Sequence, residues 1–267
     1  TGGYDTCADA ESGNVGQFKT KWRRFDDGTV ININTESSVL SIITITGFEI
    51  FGGRNLAFAS PGGISVLGNS YLILSHSEVY DNEGDEGGGI RVRGENARLS
   101  LLNSTIRNNS SNSAGGGIYC ENGATLTVTG NSAIKNNTST GNGGGIFGNL
   151  NCQITVQSGD SNPLLSTEFG ILGNTGLQGG GVFLKGQADM TLLGNNQHPA
   201  SIVGNVSTIN TSNVVLGGGG VYLTDDGTTF ISKNGRIDFN LAENVGAGFG
   251  VTTSAQFRME RLDGVCW

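Results

Sequence analysis

Short segments that alternate apolar and polar residues recur along this chain at a near-constant spacing. The segments at 43–45, 99–101 and 126–128, with the sequences ITI, LSL and LTV, are examples. Alternation over a few residues, with turn residues on both sides, is typical of short β-strands. C-terminal to Phe25 no segment shows a helical period. The pattern therefore predicts an all-β chain.

A run of two or three glycines followed by Ile or Val marks the repeat, and a looser copy, Gly248-Phe249-Gly250-Val251, ends the series. The apolar residue that ends this landmark stands at 64, 90, 118, 146, 182, 221 and 251. Successive positions in this series differ by 26, 28, 28, 36, 39 and 30. A near-constant period of this size that tolerates insertions is typical of a solenoid.

A second landmark, Ile or Val followed three residues later by Asn, occurs once in each repeat. Its Asn stands at 82, 109, 137, 174, 205 and 240. Glycine and asparagine both tolerate the left-handed backbone region, and stacked Asn side chains can hydrogen-bond along a column. We therefore interpret both landmarks as architectural.

Each repeat contains three strand-like pieces, and no single repeat can bury its own apolar side. Stacking the repeats about 4.8 Å apart pairs every strand with its equivalents and creates one core. The prediction is a single-stranded right-handed parallel β-helix of about eight coils with three short strands per coil. We expect residues 1–28 to form an N-terminal cap and 29–267 to form one continuous domain, with insertions near 157–170 and 194–201.

Composition excludes several classes of protein. The 267 residues include 46 Gly but only 3 Pro, whereas collagen needs Gly at every third position and abundant Pro. A hydrophobic content of 36% argues against disorder. The formal net charge of -8 disfavours nucleic acid and anionic membrane surfaces as partners. Because the sequence lacks an apolar run long enough to span a membrane, we expect a soluble region without direct membrane insertion.

Four cysteines, Cys7, Cys120, Cys152 and Cys266, lie far apart in the sequence. They form no CxxC pair of the kind that zinc and redox sites use. A disulfide between Cys120 and Cys152 on neighbouring coils is one interpretation, and two buried free thiols are the other. The expected location is extracellular, either secreted or on the cell surface.

Both landmarks resemble tetrapeptides of a known family. Repeated GGA-Ile/Val/Leu and FxxN motifs define the chlamydial polymorphic membrane proteins, and here Gly replaces the Ala and Ile or Val replaces the Phe, over about Gly62 to Val251. The opening residues Gly2, Gly3, Tyr4, Asp5, Cys7 and Asp9 are also similar to the start of many secreted bacterial β-helix proteins. The resemblance implies a β-helical passenger region on a bacterial surface that acts as an adhesin.

A column of aromatic residues is the first candidate site. If the apolar residue after each glycine run faces inward, the next residue faces outward. The column predicted in this way contains Ser65, Arg91, Tyr119, Phe147, Phe183, Tyr222 and Thr252. Its four consecutive aromatic members are candidate ligand-binding residues that could stack on sugars or on an apolar partner surface. The alternative is that the insertions fold over these rings and bury them.

An acidic stretch supplies the second candidate site. Asp81, Glu83, Asp85 and Glu86 precede Arg91 closely, a mixture similar to that of polysaccharide lyases, in which Ca²⁺ and acidic residues hold a uronate and a basic residue abstracts its proton. The four carboxylates are candidate Ca²⁺ ligands, and we expect no other cofactor. Since the spacing matches neither an EF-hand nor an RTX loop, a solvated acidic turn is the alternative.

These observations support three functional hypotheses. The leading one is a non-enzymatic extracellular adhesin or structural stalk that binds a glycan or a cell-surface protein, because no catalytic set converges in the sequence. The second is a carbohydrate-active enzyme, a polysaccharide lyase or hydrolase, that uses Asp85 and Arg91. The third is a carbohydrate-binding module that uses the aromatic column.

Overall fold

The computed structural model describes residues 19–36, 38–159, 169–195, 198–208, 217–243 and 246–260. Within these residues the chain forms 31 short strands and no helix. Each circuit of the chain adds one strand to each of several parallel sheets. The predicted all-β, right-handed parallel β-helix is therefore confirmed.

The strands follow one another in groups that correspond to the coils. An incomplete coil contributes β1 (Thr20–Arg23). The next two coils contain β2 (Ile31–Thr35), β3 (Ser41–Thr46), β4 (Phe48–Phe51) and β5 (Arg54–Asn55), then β6 (Ile64–Gly68), β7 (Ser70–Ser75), β8 (Glu78–Tyr80) and β9 (Glu83–Glu86). The following two contain β10 (Ile90–Arg93), β11 (Arg98–Leu102), β12 (Thr105–Arg107) and β13 (Ser110–Ala114), then β14 (Ile118–Glu121), β15 (Thr125–Thr129), β16 (Ala133–Lys135) and β17 (Thr138–Ser139).

The second half of the molecule continues the same order. Two coils contain β18 (Ile146–Gly148), β19 (Gln153–Gln157), β20 (Gly170–Leu172) and β21 (Thr175–Gly176), then β22 (Val182–Leu184), β23 (Asp189–Leu193), β24 (Ala200–Val203) and β25 (Val206–Ser207). The last strands are β26 (Val221–Leu223), β27 (Thr229–Lys233), β28 (Gly235–Asp238) and β29 (Leu241–Ala242), followed by β30 (Phe249–Val251) and β31 (Gln256–Glu260).

Equivalent strands of successive coils assemble into four sheets. Sheet 1 runs from β2 to β30, sheet 2 from β3 to β31 and sheet 3 from β1 to β28, each with eight strands, while sheet 4 runs from β5 to β29 with seven. The sequence predicted only three strands per coil. It missed sheet 4 because the inward residues of that sheet, such as Gly84, Ser111 and Ser139, are small or polar and give no apolar alternation.

A ladder of six buried asparagines joins the coils at the corner between sheets 3 and 4. Its members are Asn82, Asn109, Asn137, Asn174, Asn205 and Asn240. The side-chain Nδ2 of each donates to Oδ1 of the next at 2.9–3.0 Å. The backbone N–H of each donates to the same Oδ1 at 2.9–3.1 Å. This geometry confirms the hydrogen-bonded Asn column that the sequence predicted.

Each ladder amide also donates to a carbonyl of the preceding coil. Nδ2 of Asn137, for example, lies 3.0 Å from the carbonyl oxygen of Ile106. At the N-terminal end the ladder closes on Gly53, whose backbone N–H donates to Oδ1 of Asn82 at 2.9 Å. The buried polar groups of this corner are thus paired, which removes the cost of burying them.

The glycine runs are explained by close approach between coils. A Cβ on Gly145 would lie 2.6 Å from the carbonyl oxygen of Gly181 and 3.0 Å from Nδ2 of Asn174. Gly143, the first glycine of the same run, has a φ of 68°. Glycine is therefore needed at position 143 for its backbone conformation and at position 145 for the close approach to the ladder.

A single apolar core fills the interior between the sheets. It is built from columns of Ile, Val and Leu, and its largest fully buried side chain is Phe230. Cys120 and Cys152 lie in this core and form a disulfide with a Cα–Cα distance of 5.8 Å. This is one of the two interpretations that the sequence left open. Cys7 and Cys266 lie outside the described residues.

Three boundaries differ from the prediction or fall outside the described residues. The last glycine landmark was placed at Val251, but Phe249 pairs with Val221, so Gly250 rather than Thr252 follows Tyr222 in the outer column. This prediction was wrong because Gly246 and Gly248 take the positions of the glycine run.

Within the predicted cap 1–28, residues 20–23 already form a strand of sheet 3. Most of the insertion near 157–170 and part of that near 194–201 fall outside the described residues.

We predict that Asn137→Ala destabilises the fold by about 3–5 kcal/mol, since its side chain makes four buried hydrogen bonds. The change leaves the backbone N–H of Asn109 and the carbonyl of Ile106 without their buried partner. Urea denaturation measures the difference. Asn112→Ala, at an exposed position in β13, is the matched control and should change stability by less than about 0.5 kcal/mol. Equal midpoints for the two variants would show that the ladder does not stabilise the fold.

Candidate functional site

The four predicted aromatic residues form one stack on the outer side of sheet 1. Their strands pair in register, which places Tyr119, Phe147, Phe183 and Tyr222 on four successive coils. They form a cluster separate from the interior core, as expected for side chains that point outward. Ring centroids are 4.9, 5.3 and 5.4 Å apart, with interplanar angles of 15°, 1° and 11°.

These rings offer little surface to a ligand. Their exposed fractions lie between 3% and 6%, so the rings are buried. Both predicted insertions connect sheet 2 to sheet 3, whereas the rings lie on sheet 1. Coil spacing also makes each ring stack on the next, so the inner faces of the stack are occupied by protein. On the outer face of Tyr119 the guanidinium of Arg91 lies 5.7 Å from the ring centroid. A sugar would need a free ring face, so we do not propose sugar stacking on these four residues.

Arg91 lies in the same column, one coil before Tyr119, and is the centre of a buried ion cluster. Its Nη2 lies 2.6 Å from Oε1 of Glu121 and 3.0 Å from Oε2 of Glu86. Its Nη1 donates to the carbonyl of Ala59. Only 8% of the Arg91 side chain and 9% of the Glu121 side chain are exposed. Arg93 adds a contact to Glu121 at 3.3 Å from the solvent side.

Burial dominates the titration of Glu86. It raises the pKa of this carboxyl above its ordinary value, and the nearby charge of Glu121 acts in the same direction, against the opposing effect of Arg91. Burial likewise raises the pKa of Tyr119, as do the charges of Glu121 and Glu86. The carboxylate of Glu121 is therefore held tightly by Arg91, while the carboxyl of Glu86 is costly to ionise.

The acidic stretch does not converge on a metal site. Glu83 pairs with Arg54 at 3.0 Å, Asp85 accepts hydrogen bonds from the N–H of Ala59 and the hydroxyl of Ser113, and Glu86 joins the Arg91 cluster. Asp81 occupies an exposed turn with a φ of 52°. Nowhere in the described ranges do three or more His, Cys, Asp or Glu residues form a group that could hold a metal. These four residues are thus explained by hydrogen bonds, an ion pair and a turn.

Comparison with known families agrees with this architecture. The family model described as right handed beta helix region matches residues 24–164, more than half of the chain. The chain belongs to this family. No curated protein and no solved structure matches the sequence. The family match identifies the fold as a right-handed β-helix, while the similarity of its motifs to chlamydial surface proteins remains an interpretation of the sequence.

The β-helix also has a small cavity at the corner between sheets 2 and 3, beside both predicted insertions. It encloses about 20 Å³ and is lined by Gln157, Phe169, Gly170, His198 and Ser201. Nδ1 of His198 and Oγ of Ser201 are buried without a hydrogen-bond partner. That volume holds only about one or two water molecules. The cavity is therefore too small for a sugar ring.

Sequence reasoning missed two parts of this arrangement. Glu121 was not singled out, because it follows Cys120 in a strand and no local motif marks it as the partner of Arg91. The outer side of sheet 3 was also overlooked, although it has a second aromatic pair, Phe51 and Tyr80, with centroids 5.0 Å apart. The sequence contained a signal for this pair. Phe51 directly precedes the turn at Gly52, Tyr80 directly precedes the turn at Asp81, and an apolar residue directly precedes each of the two rings.

We predict that Phe147→Ala destabilises the β-helix by about 3–4 kcal/mol, the range for truncating a buried aromatic ring, without changing its binding to any glycan. The variant removes the second ring of the buried stack and leaves a cavity. Chemical denaturation measures the loss. Phe58→Ala is the matched control because that ring is 92% exposed. If Phe147→Ala abolished glycan binding at unchanged stability, the stack would be a ligand site after all.

We predict opposite effects for the two carboxylates that contact Arg91. Glu121→Gln should cost about 2–3 kcal/mol at pH 7, because Arg91 loses its closest carboxylate contact. Glu86→Gln should be neutral or stabilising at pH 7, because the raised pKa of Glu86 means that its ionised form is disfavoured in the folded state. As pH falls through that raised pKa, wild-type Glu86 takes up its proton and the advantage of the variant should shrink.

Urea denaturation at pH 7 and pH 5 tests this pair. A Glu86→Gln variant less stable than the wild type at pH 7, with the gap closing at pH 5, would show that the carboxylate stabilises the fold in its charged form. In that case the ion pair with Arg91, and not burial, would dominate.

Proposed function

We propose that this β-helix is an extracellular, non-enzymatic scaffold that acts as an adhesin or structural stalk and binds partners through its outer surface. The observation that carries the proposal is the uninterrupted Asn ladder from Asn82 to Asn240. It makes successive coils one continuous, fully paired rod. Such a scaffold holds outward side chains at fixed spacing, which favours binding along its length over catalysis at one point.

The disulfide supports the extracellular part of the proposal. Cys120 and Cys152 belong to consecutive coils and are fully buried. Closing a loop of this length stabilises a fold by about 3–4 kcal/mol. Stable disulfides form in oxidising compartments such as the cell exterior or the periplasm. The described residues also contain no helix that is long and apolar enough to span a membrane.

An enzymatic role as a polysaccharide lyase or hydrolase is less well supported. A lyase needs a basic group that can approach the proton of the substrate. Arg91 instead donates to Glu121 and Ala59 and is almost fully buried. Asp85, the acidic residue named in the enzyme hypothesis, accepts hydrogen bonds from Ala59 and Ser113. Both residues are occupied by contacts within the coil, which supports the scaffold over the enzyme.

Arrays of glycans and extracellular proteins, probed with the purified chain, test the proposed function. We expect saturable binding to at least one surface component, with no release of reducing ends or unsaturated uronates from any polysaccharide. Because Arg91→Ala would disturb the fold, Arg93→Gln is the better comparison for catalysis, since Arg93 is half exposed at the edge of the same cluster. Release of products that depends on Arg91 or Arg93 would favour the enzyme. If the chain bound nothing, only the role of a structural stalk would be left.

A further inference from the structure

The outer side of sheet 3 presents a line of cationic and aromatic side chains in consecutive coils. Strand register places Arg23, Phe51, Tyr80, Arg107 and Lys135 at equivalent positions of β1, β4, β8, β12 and β16. We call these five residues the basic stripe. At about 4.8 Å per coil the stripe is about 19 Å long and one residue wide.

Contacts along the stripe are continuous at its N-terminal end. The guanidinium of Arg23 lies 5.8 Å from the Phe51 ring, Phe51 and Tyr80 stack with an interplanar angle of 6°, and the guanidinium of Arg107 lies 4.2 Å from the Tyr80 ring. Ring faces are therefore occupied and ring edges face outward. Those edges have a positive partial charge, so the aromatic pair adds to the cationic character of the surface.

The carboxylates beside the stripe are already neutralised. Glu78 contacts Lys19 at 2.8 Å and Arg107 at 2.9 Å, and Glu49 contacts Lys21 at 3.4 Å and the Tyr80 hydroxyl at 2.9 Å. Although burial opposes it, hydrogen bonding to Lys19 and Arg107 holds the pKa of Glu78 below its ordinary value. Glu78 is thus ionised and satisfied at neutral pH.

Positive charge remains after these pairs are formed. Arg23 and Lys135 have no carboxylate within salt-bridge distance in the part of the chain that the structure describes. Five cations (Lys19, Lys21, Arg23, Arg107 and Lys135) face three carboxylates (Glu49, Glu78 and Asp81), which leaves a local charge of +2. The whole chain has a formal charge of -8. A cationic surface on an acidic protein indicates a site for an anionic partner.

We propose that the basic stripe binds an acidic polysaccharide, a chain with carboxylate or sulfate groups that lies along the β-helix axis. A width of one residue suits a single extended polymer. Double-stranded nucleic acid is disfavoured because it presents two charged strands, whereas the stripe is one residue wide. The inference rests on the proposed extracellular role and specifies the class of glycan. In this arrangement Arg23, Arg107 and Lys135 supply the ionic contacts, and Phe51 and Tyr80 supply ring edges between them.

Binding of the purified chain to immobilised polygalacturonate and heparin, with neutral dextran as reference, tests the proposal. We expect the wild type to bind at least one acidic polymer and to weaken as salt increases, since exposed charges are screened. The double variant R23Q/K135Q should bind about five- to tenfold more weakly, because two individually modest ionic contacts are lost together. Neither residue has a carboxylate partner to lose, so the fold should be preserved, and denaturation curves check this.

The double variant R98Q/R258Q is the matched control. It removes two exposed cations from the outer side of sheet 2, of which Arg258 is paired with Glu260 at 2.8 Å, and should change affinity by less than about twofold. Equal weakening in both double variants would overturn the stripe and indicate general attraction to charge. Tighter binding of single-stranded DNA would indicate a nucleic-acid surface instead. Binding of neutral glycans or proteins alone would also overturn the stripe, while leaving the proposed scaffold function intact.

Discussion

The spacing of about 4.8 Å between hydrogen-bonded strands is the constraint on which this molecule depends. Every coil must meet the next at that distance along its whole circumference. The Asn ladder satisfies the requirement at the corner between sheets 3 and 4, because each Oδ1 accepts two hydrogen bonds from the preceding ladder Asn. The glycine runs satisfy it beside the ladder, where a Cβ would collide with backbone of the next coil. Side-chain identity at these positions is therefore dictated by packing.

The same spacing governs what outward residues can do. Aromatic rings on adjacent coils are brought to stacking distance of one another, as the four rings from Tyr119 to Tyr222 and the pair Phe51 and Tyr80 show. The faces of each ring are then covered by its neighbours. An aromatic column in register therefore mainly stabilises the fold. A partner is then bound by ring edges, by charged side chains and by residues between the coils.

Much of the fold could be predicted from the sequence, because each repeat of a solenoid contains the same short motifs. The glycine runs and the Ile/Val-x-x-Asn motifs located the columns, and the outward position of Tyr119 followed from the alternation after Ile118. Other features depend on contacts between positions a full coil apart in the sequence and leave no local trace. The pairing of Arg91 with Glu121 is one, and the disulfide between Cys120 and Cys152 could only be offered as one of two alternatives. Sheet 4 was missed because small residues satisfy its interior.

The ion cluster at Arg91 is best understood as the end of the aromatic stack. At the other end a Cβ on Gly250 would lie 2.8 Å from Cδ2 of Tyr222, so that ring covers the next position and the column stops. At the Tyr119 end the column stops on a guanidinium instead of a ring. A buried guanidinium needs compensating charge, which Glu121 provides at 2.6 Å. The arrangement that resembled a lyase site in the sequence therefore caps the stack, and moving Arg91 out of it to act as a base would leave the buried carboxylate of Glu121 without its closest cation.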